Sequence, residues 1–155
     1  MRKSAAKKRE LLPDSRFNDP MVTQFVNNMM WSGKKSTSFR IFYDAVDIVA
    51  ESTKEDGYEV WKKALANVMP SVEVKSKRIG GSTFQIPVEV RPAKRIVIGM
   101  AWLISFARKR SGRSMAAKLA AEIQAAYKNE GAAIKKKDDT HRMAEANKAF
   151  SHFRA

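Results

Sequence analysis

Lys75, Lys77 and Arg78, with Arg91, Lys94 and Arg95 a short way along the chain, are the side chains best suited here to a specific chemistry. That chemistry is the binding of phosphate. An arginine forks two N–H donors onto it, and a lysine supplies a mobile point charge. Lys34-Lys35 form a second basic group, and Arg108, Lys109, Arg110 and Arg113 with Lys118 a third. The opening run holds a fourth: Arg2, Lys3, Lys7, Lys8 and Arg9. In total 30 Lys and Arg stand against 16 Asp and Glu, a formal charge of +14. The acids gather elsewhere, with Asp44, Asp47, Glu51, Glu55, Asp56 and Glu59 set against Lys54 alone between residues 41 and 60. Such segregation gives the field a direction, suited to holding a polyanion against selected surfaces; nucleic acid is the expected partner.

Other chemistry has little to work with. The absence of cysteine excludes disulfides, thiolate metal sites and cysteine nucleophiles, and fits a reducing compartment. The two histidines are far apart and have no cysteine companions, so no zinc site is expected. His141 and Asp139, two residues apart, fall on different faces of a helix, and no nucleophile converges with them. Glu51 and Glu55 share a helix face, but in an acid-rich zone that reads as a solvated or protein-contacting surface rather than a hydrolytic pair. Gly33-Lys34-Lys35-Ser36 lacks the earlier glycine of a nucleotide-binding loop and follows a helical pattern instead of a strand. It reads as two ammonium groups beside a helix N-terminus, where both share phosphates with backbone N–H groups. Neither enzyme activity nor a cofactor nor a metal is expected. No apolar run approaches the roughly 20 residues that cross a bilayer, and none follows the basic start as in a signal peptide, so no membrane contact is expected.

These cations need elements to space them. Asp19-Pro20 reads as an N-cap with proline at the first helical position, followed by Val22, Phe25, Val26, Met29 and Met30 as a buried side. Ser32 to Lys35 is a turn. From Ser36 a second helix turns Phe39, Phe42, Tyr43, Val46, Val49 and Ala50 inward; Gly57 marks the next break. Trp61, Ala64, Leu65 and Val68 belong to a third helix that stops before Pro70. The period then drops to two. Val72 and Val74, then Phe84, Ile86, Val88 and Val90, alternate with polar residues around Gly80-Gly81-Ser82, a β-hairpin at about 72–90. Pro87 demands an open edge or a bulge. Phe84 is expected to pack on the helical body more readily than to stack on a base.

After Pro92 the stripe Ile96, Val97, Met100, Leu103, Ile104 and Ala107 gives a fourth helix. Ser114 caps a fifth, bearing Met115, Leu119, Ile123 and Tyr127. Asp138 or Asp139 is expected to cap the last, with Met143, Ala144, Asn147 and Phe150 inward. The fold class is mainly α: one domain of five to six helices, residues 11–155, with an inserted, protruding β-hairpin and a basic, flexible tail over residues 1–10.

Four stretches carry a resemblance. Met69 through Pro92, MPSVEVKSKRIGGSTFQIPVEVRP, resembles the signature segment of the bacterial-type small ribosomal subunit protein seven family. Asn27 to Ser36, Phe106 to Arg110 with Met115-Ala116, and His141 to Phe150 followed by His152 are similar to it in the same order. The resemblance implies a ribosome-bound, cytoplasmic protein that binds the 3′ major domain of small-subunit rRNA, nucleates assembly of the subunit head and lies near the exit tRNA site. It implies rRNA contact by the N-terminal basic tail and the Lys34-Lys35 turn; the charge reading also expects it of Lys75, Lys77, Arg78, Arg91, Lys94, Arg95, Arg108, Lys109, Arg110 and Arg113. The resemblance further implies exit-tRNA proximity for Arg78, Gly80, Gly81 and Ser82, and a protein interface drawn from His141, Arg142, Asn147, Phe150, His152, Phe153 and Arg154. Neighbouring proteins of head and platform are the implied partners. Without it, the alternative is an architectural DNA-binding protein using a basic β-ribbon. Such ribbons carry apolar wedges, and the tip Ile79-Gly80-Gly81-Ser82 offers only Ile79.

Overall fold

The computed structural model describes residues 9–153, and of Phe153 the backbone alone. Arg2, Lys3, Lys7, Lys8 and Arg154, all expected to make contacts, lie outside the described residues. Two compact units divide the chain at Arg40 and Ile41. In chain order come α1 (Pro20–Met29), α2 (Lys35–Thr53), α3 (Gly57–Val68), β1 (Val72–Ile79), β2 (Ser82–Glu89), α4 (Pro92–Lys109), α5 (Met115–Tyr127), α6 (Ala132–Ala146) and a 3-10 turn (Lys148–Phe153). The expected mainly α architecture with one inserted hairpin is what the chain forms.

In the first unit the Asp19 carboxylate accepts from the Met21 N–H at 2.8 Å, with Pro20 behind it as the first helical residue. Val22, Phe25, Val26 and Met29 are buried as expected; Met30, the C-cap, is only half-buried. Asp14, a buried acid, builds the turn before the helix. Its two oxygens accept from the Arg16, Phe17 and Asp19 N–H groups at 3.0–3.1 Å. The segment after α1 reverses through Ser32 and Gly33, both at positive φ, and Lys35 opens α2.

The second unit is built around Trp61, fully buried on α3, with the Phe42 ring edge-on at 5.1 Å. Helix α3 packs on α4 and α5, and α6 lies against all three. Gly57 does not break the chain; it is the first residue of α3, capped by the Asp56 carboxylate at 3.0 Å from the Tyr58 N–H. A Cβ there would sit 2.3 Å from the Val46 carbonyl of α2, so glycine is what permits the close approach of the two helices.

Two expected inner faces shift. On α4, Val97 is 41% exposed and Gly99 is buried in its place, beside Leu65 of α3 and Met69, the residue that follows it. A stripe read by apolarity alone skips glycine, although glycine lets a neighbouring helix come closest. Helix α6 begins after Gly131, well ahead of Asp138 and Asp139, which fall inside it and cap nothing. Its cap is borrowed: the buried Glu122 carboxylate of α5 accepts from the Ala133 N–H at 3.0 Å. The inward residues are consequently Ala133, Ile134, Thr140 and Ala144, and Met143 is 47% exposed.

Candidate nucleic-acid interface

The hairpin register runs unbroken from Val72↔Glu89 to Ile79↔Ser82, joined by Gly80-Gly81 at φ 55° and 90°. Two successive positive φ values are what a type I′ turn needs, and its twist matches the flanking strands. No bulge accommodates Pro87; it pairs with Val74, so its missing donor falls to the open edge of a two-stranded ribbon.

Residues directly opposite share a face. One side therefore carries Glu73, Lys75 and Lys77 from β1 with Val88, Ile86 and Phe84 from β2, and Arg78 lies on the other with Thr83. Ile86 is buried and the Phe84 ring meets that of Phe150 at 5.2 Å, the packing expected of it. Toward the tip Lys75, Lys77, Arg78, Gly80, Gly81 and Ser82 are all exposed.

Between the middle of the ribbon and its root, Lys75, Arg91 and Lys94 line one open groove of about 420 Å³ together with Val88, Val90 and Ala93. Glu73 lies among them. Lys94 donates to both of its carboxylate oxygens at 2.6–2.7 Å, and Lys75 approaches to 3.5 Å. The Lys94 hydrogen bond is the main reason the Glu73 carboxyl sits below its ordinary value of 4.5, against a smaller opposing effect of burial. A carboxyl depressed in the folded state stabilises the fold above its unfolded pKa. That contribution fades as pH falls through the lower folded value. Glu73→Gln should thus narrow the stability difference between pH 6 and pH 3, by well under about 1 kcal/mol for so solvent-accessible a pair. Urea titrations at both pH values check this. Arg95 is half-buried, its Nε donating to the Val90 carbonyl at 2.9 Å.

The α4–α5 corner separates its cations. Arg108, Lys109 and Arg113 are exposed, with the first two in the last turn of α4, where they complement the helix dipole. Arg110 is turned to structural work: its Nε bonds the Glu122 carboxylate, which is inaccessible to solvent. Sequence reasoning missed Glu122 itself. The signal was an acid within the apolar run Leu119, Ala120, Ile123 and Ala126. In the first unit Lys34 and Lys35 are exposed at the start of α2, whose first turn holds no acid, and Lys35 also lies over the Phe39 ring at 5.8 Å. Arg9 is exposed.

Residues expected at a protein interface divide similarly. Arg142 is exposed, 3.9 Å from Asp139. Asn147 donates to the Met143 carbonyl at 2.7 Å, and the His152 Nδ1 lies 2.8 Å from the Ala149 carbonyl. His141 and Phe150 reach inward, to Ser71 and Phe84.

Among the described residues no group of three His, Cys, Asp or Glu is placed to hold a metal, and no helix is long and apolar enough to cross a membrane. The class defined is a basic, mainly α scaffold that presents cations on a ribbon and at helix ends. The family profile of ribosomal protein S7p/S5e matches residues 1–148. The chain is 64% identical over 157 residues to the small ribosomal subunit protein uS7 of Christiangramia forsetii, with 99% of each chain covered. It is 64% identical over 154 residues to that of Cytophaga hutchinsonii and 56% over 157 to that of Porphyromonas gingivalis, again with 99% coverage of both. This chain belongs to the ribosomal protein S7p/S5e family.

Proposed function

We propose that the chain is a structural constituent of the small ribosomal subunit, not an enzyme, that binds the 3′ major domain of its rRNA directly and nucleates head assembly. The observation that carries this reading is the partition of charge on a rigid frame. Exposed Lys75, Lys77 and Arg78 crowd one ribbon, while Asp44, Asp47, Glu51, Glu55 and Glu59 are exposed along α2, α3 and the turn between them. Phosphate contacts supply most of the attraction, and the spacing of the basic groups selects the folded RNA surface. The deep, narrow major groove of A-form RNA closes off base reading there, so shape is what the groups recognise. Fixing several RNA helices at once favours the assembled junction. Arg78, Gly80, Gly81 and Ser82 at the ribbon tip approach the exit tRNA; Arg142 and His152 face neighbouring proteins of head and platform. The protein is ribosome-bound in the cytoplasm. No metal or cofactor takes part.

Chemical footprinting of the isolated 3′ major domain, with and without the protein, tests the assignment. A contiguous three-dimensional patch of protection around a multihelix junction is expected. Equal affinity for duplex DNA at matched salt would overturn it in favour of a general ribbon-type binder.

A further inference from the structure

A two-stranded ribbon is marginal alone, and the outer half of this one meets little but solvent. Its angle must be set from elsewhere. Within the second unit, the helical elements whose backbone lies along the strands are α6 and the 3-10 turn; α4 reaches them through side chains such as Lys94. Two side-chain contacts stand out where this C-terminal arm lies along the ribbon. At the root, the Ser71 N–H donates to His141 Nε2 at 3.1 Å, with the Ser71 hydroxyl 3.3 Å from the same nitrogen. Further out, the Phe150 ring rests on Phe84, which pairs with Lys77.

We propose that α6 and the 3-10 turn form a two-point clasp that sets the angle of the ribbon, with His141 and Phe150 as its positioning residues. Ser71 and Lys77 are six residues apart along extended chain, about 20 Å at 3.3 Å per residue. One attachment leaves a pivot, whereas two at that separation define a direction. A swing of about 10° about the root displaces the level of Lys77 by about 3.5 Å, enough to break any phosphate hydrogen bond made there. The core residues Trp61, Leu65, Leu103, Leu119 and Ile123 lie on α3, α4 and α5 and do not depend on the clasp to stay folded.

The clasp itself is independent of RNA; only its consequence rests on the function proposed above. Because the chain has no cysteine, spin labels on Ser82→Cys and Ser105→Cys report the ribbon-to-α4 distance in the free, full-length protein. One narrow distribution is expected, at least doubled in width by His141→Ala with Phe150→Ala while helical circular dichroism is kept. His141→Gln, which keeps an acceptor, and Phe150→Leu, which keeps an apolar contact, should restore most of the narrowing. An unchanged width in the double alanine variant overturns the proposal, as does loss of the helical body. In footprints, the variant should blur protection at the ribbon and spare it at Lys34-Lys35. Protection at neither site with the native chain would sink the RNA reading and leave the distance result standing.

Discussion

Arg110→Ala lowers the stability of the free protein by about 3 kcal/mol, the lower end of what removing one partner of a buried ion pair costs. The lower end applies because the Arg110 side chain is 33% exposed while Glu122 is wholly enclosed. The substitution strands a carboxylate that water cannot reach. Glu122 also accepts from the Ala133 N–H, so it fastens the end of α4 to the start of α6 through α5. Glu122→Gln keeps an acceptor for Ala133 and removes the charge that needs Arg110; it should cost less than Arg110→Ala. Combining the two should recover part of the loss, and a double-mutant cycle by urea denaturation reads the coupling directly. For a domain of this size about 3 kcal/mol lowers Tm by about 6–12 °C. If Arg110→Ala melts with the native chain, the pair is not structural and Arg110 returns to the surface cations available for RNA.

That pair also marks where the sequence stops being legible. Arg110 was grouped with Arg108, Lys109 and Arg113 because one-dimensional charge density cannot tell a side chain that turns inward from one that stays out. Elements announced by local chemistry were readable: Asp19-Pro20 at a helix start, Gly80-Gly81 at a hairpin, the change of period at Val72. Each is decided by groups a few residues apart. The start of α6 was not readable, because its cap comes from Glu122, eleven residues earlier and on another helix. The aspartates at 138 and 139 have the right local chemistry, but a start there would leave Ala133 and Ile134, both buried, outside the helix. His141 and Phe150 illustrate the same limit. Their contacts within the chain, to Ser71 and Phe84, are made 70 and 66 positions away and leave no local signature. Exposure of the ribbon cations follows from their place along the hairpin, since Lys75 and Lys77 share the face of Ile86 and Phe84, and alternation alone would have turned them inward.

Reversing Lys75, Lys77 and Arg78 to glutamate should weaken binding to the rRNA junction by about 10³-fold at physiological salt. The figure takes about 1.5 kcal/mol for each charge-assisted contact, with 1.4 kcal/mol per decade of affinity. Reversing Asp44, Asp47 and Glu51 to lysine leaves affinity unchanged or raises it slightly, since these acids are exposed on α2 and add only long-range repulsion. The two triple variants change net charge by six units in opposite senses, so charge alone predicts mirror-image effects. Direct contact predicts an asymmetric pair, a large loss against a small gain. The salt dependence separates these further. A contact to phosphate releases a counterion, so neutralising the three ribbon cations to glutamine should flatten the slope of log affinity against log salt by about 2–3, and neutralising the three acids should not. The helical core on α3, α4 and α5 carries none of the six substituted residues, so circular dichroism can confirm that both variants keep the fold. Equal and opposite shifts of similar size, with parallel slopes, would mean that the ribbon attracts RNA only as part of a diffuse positive cloud.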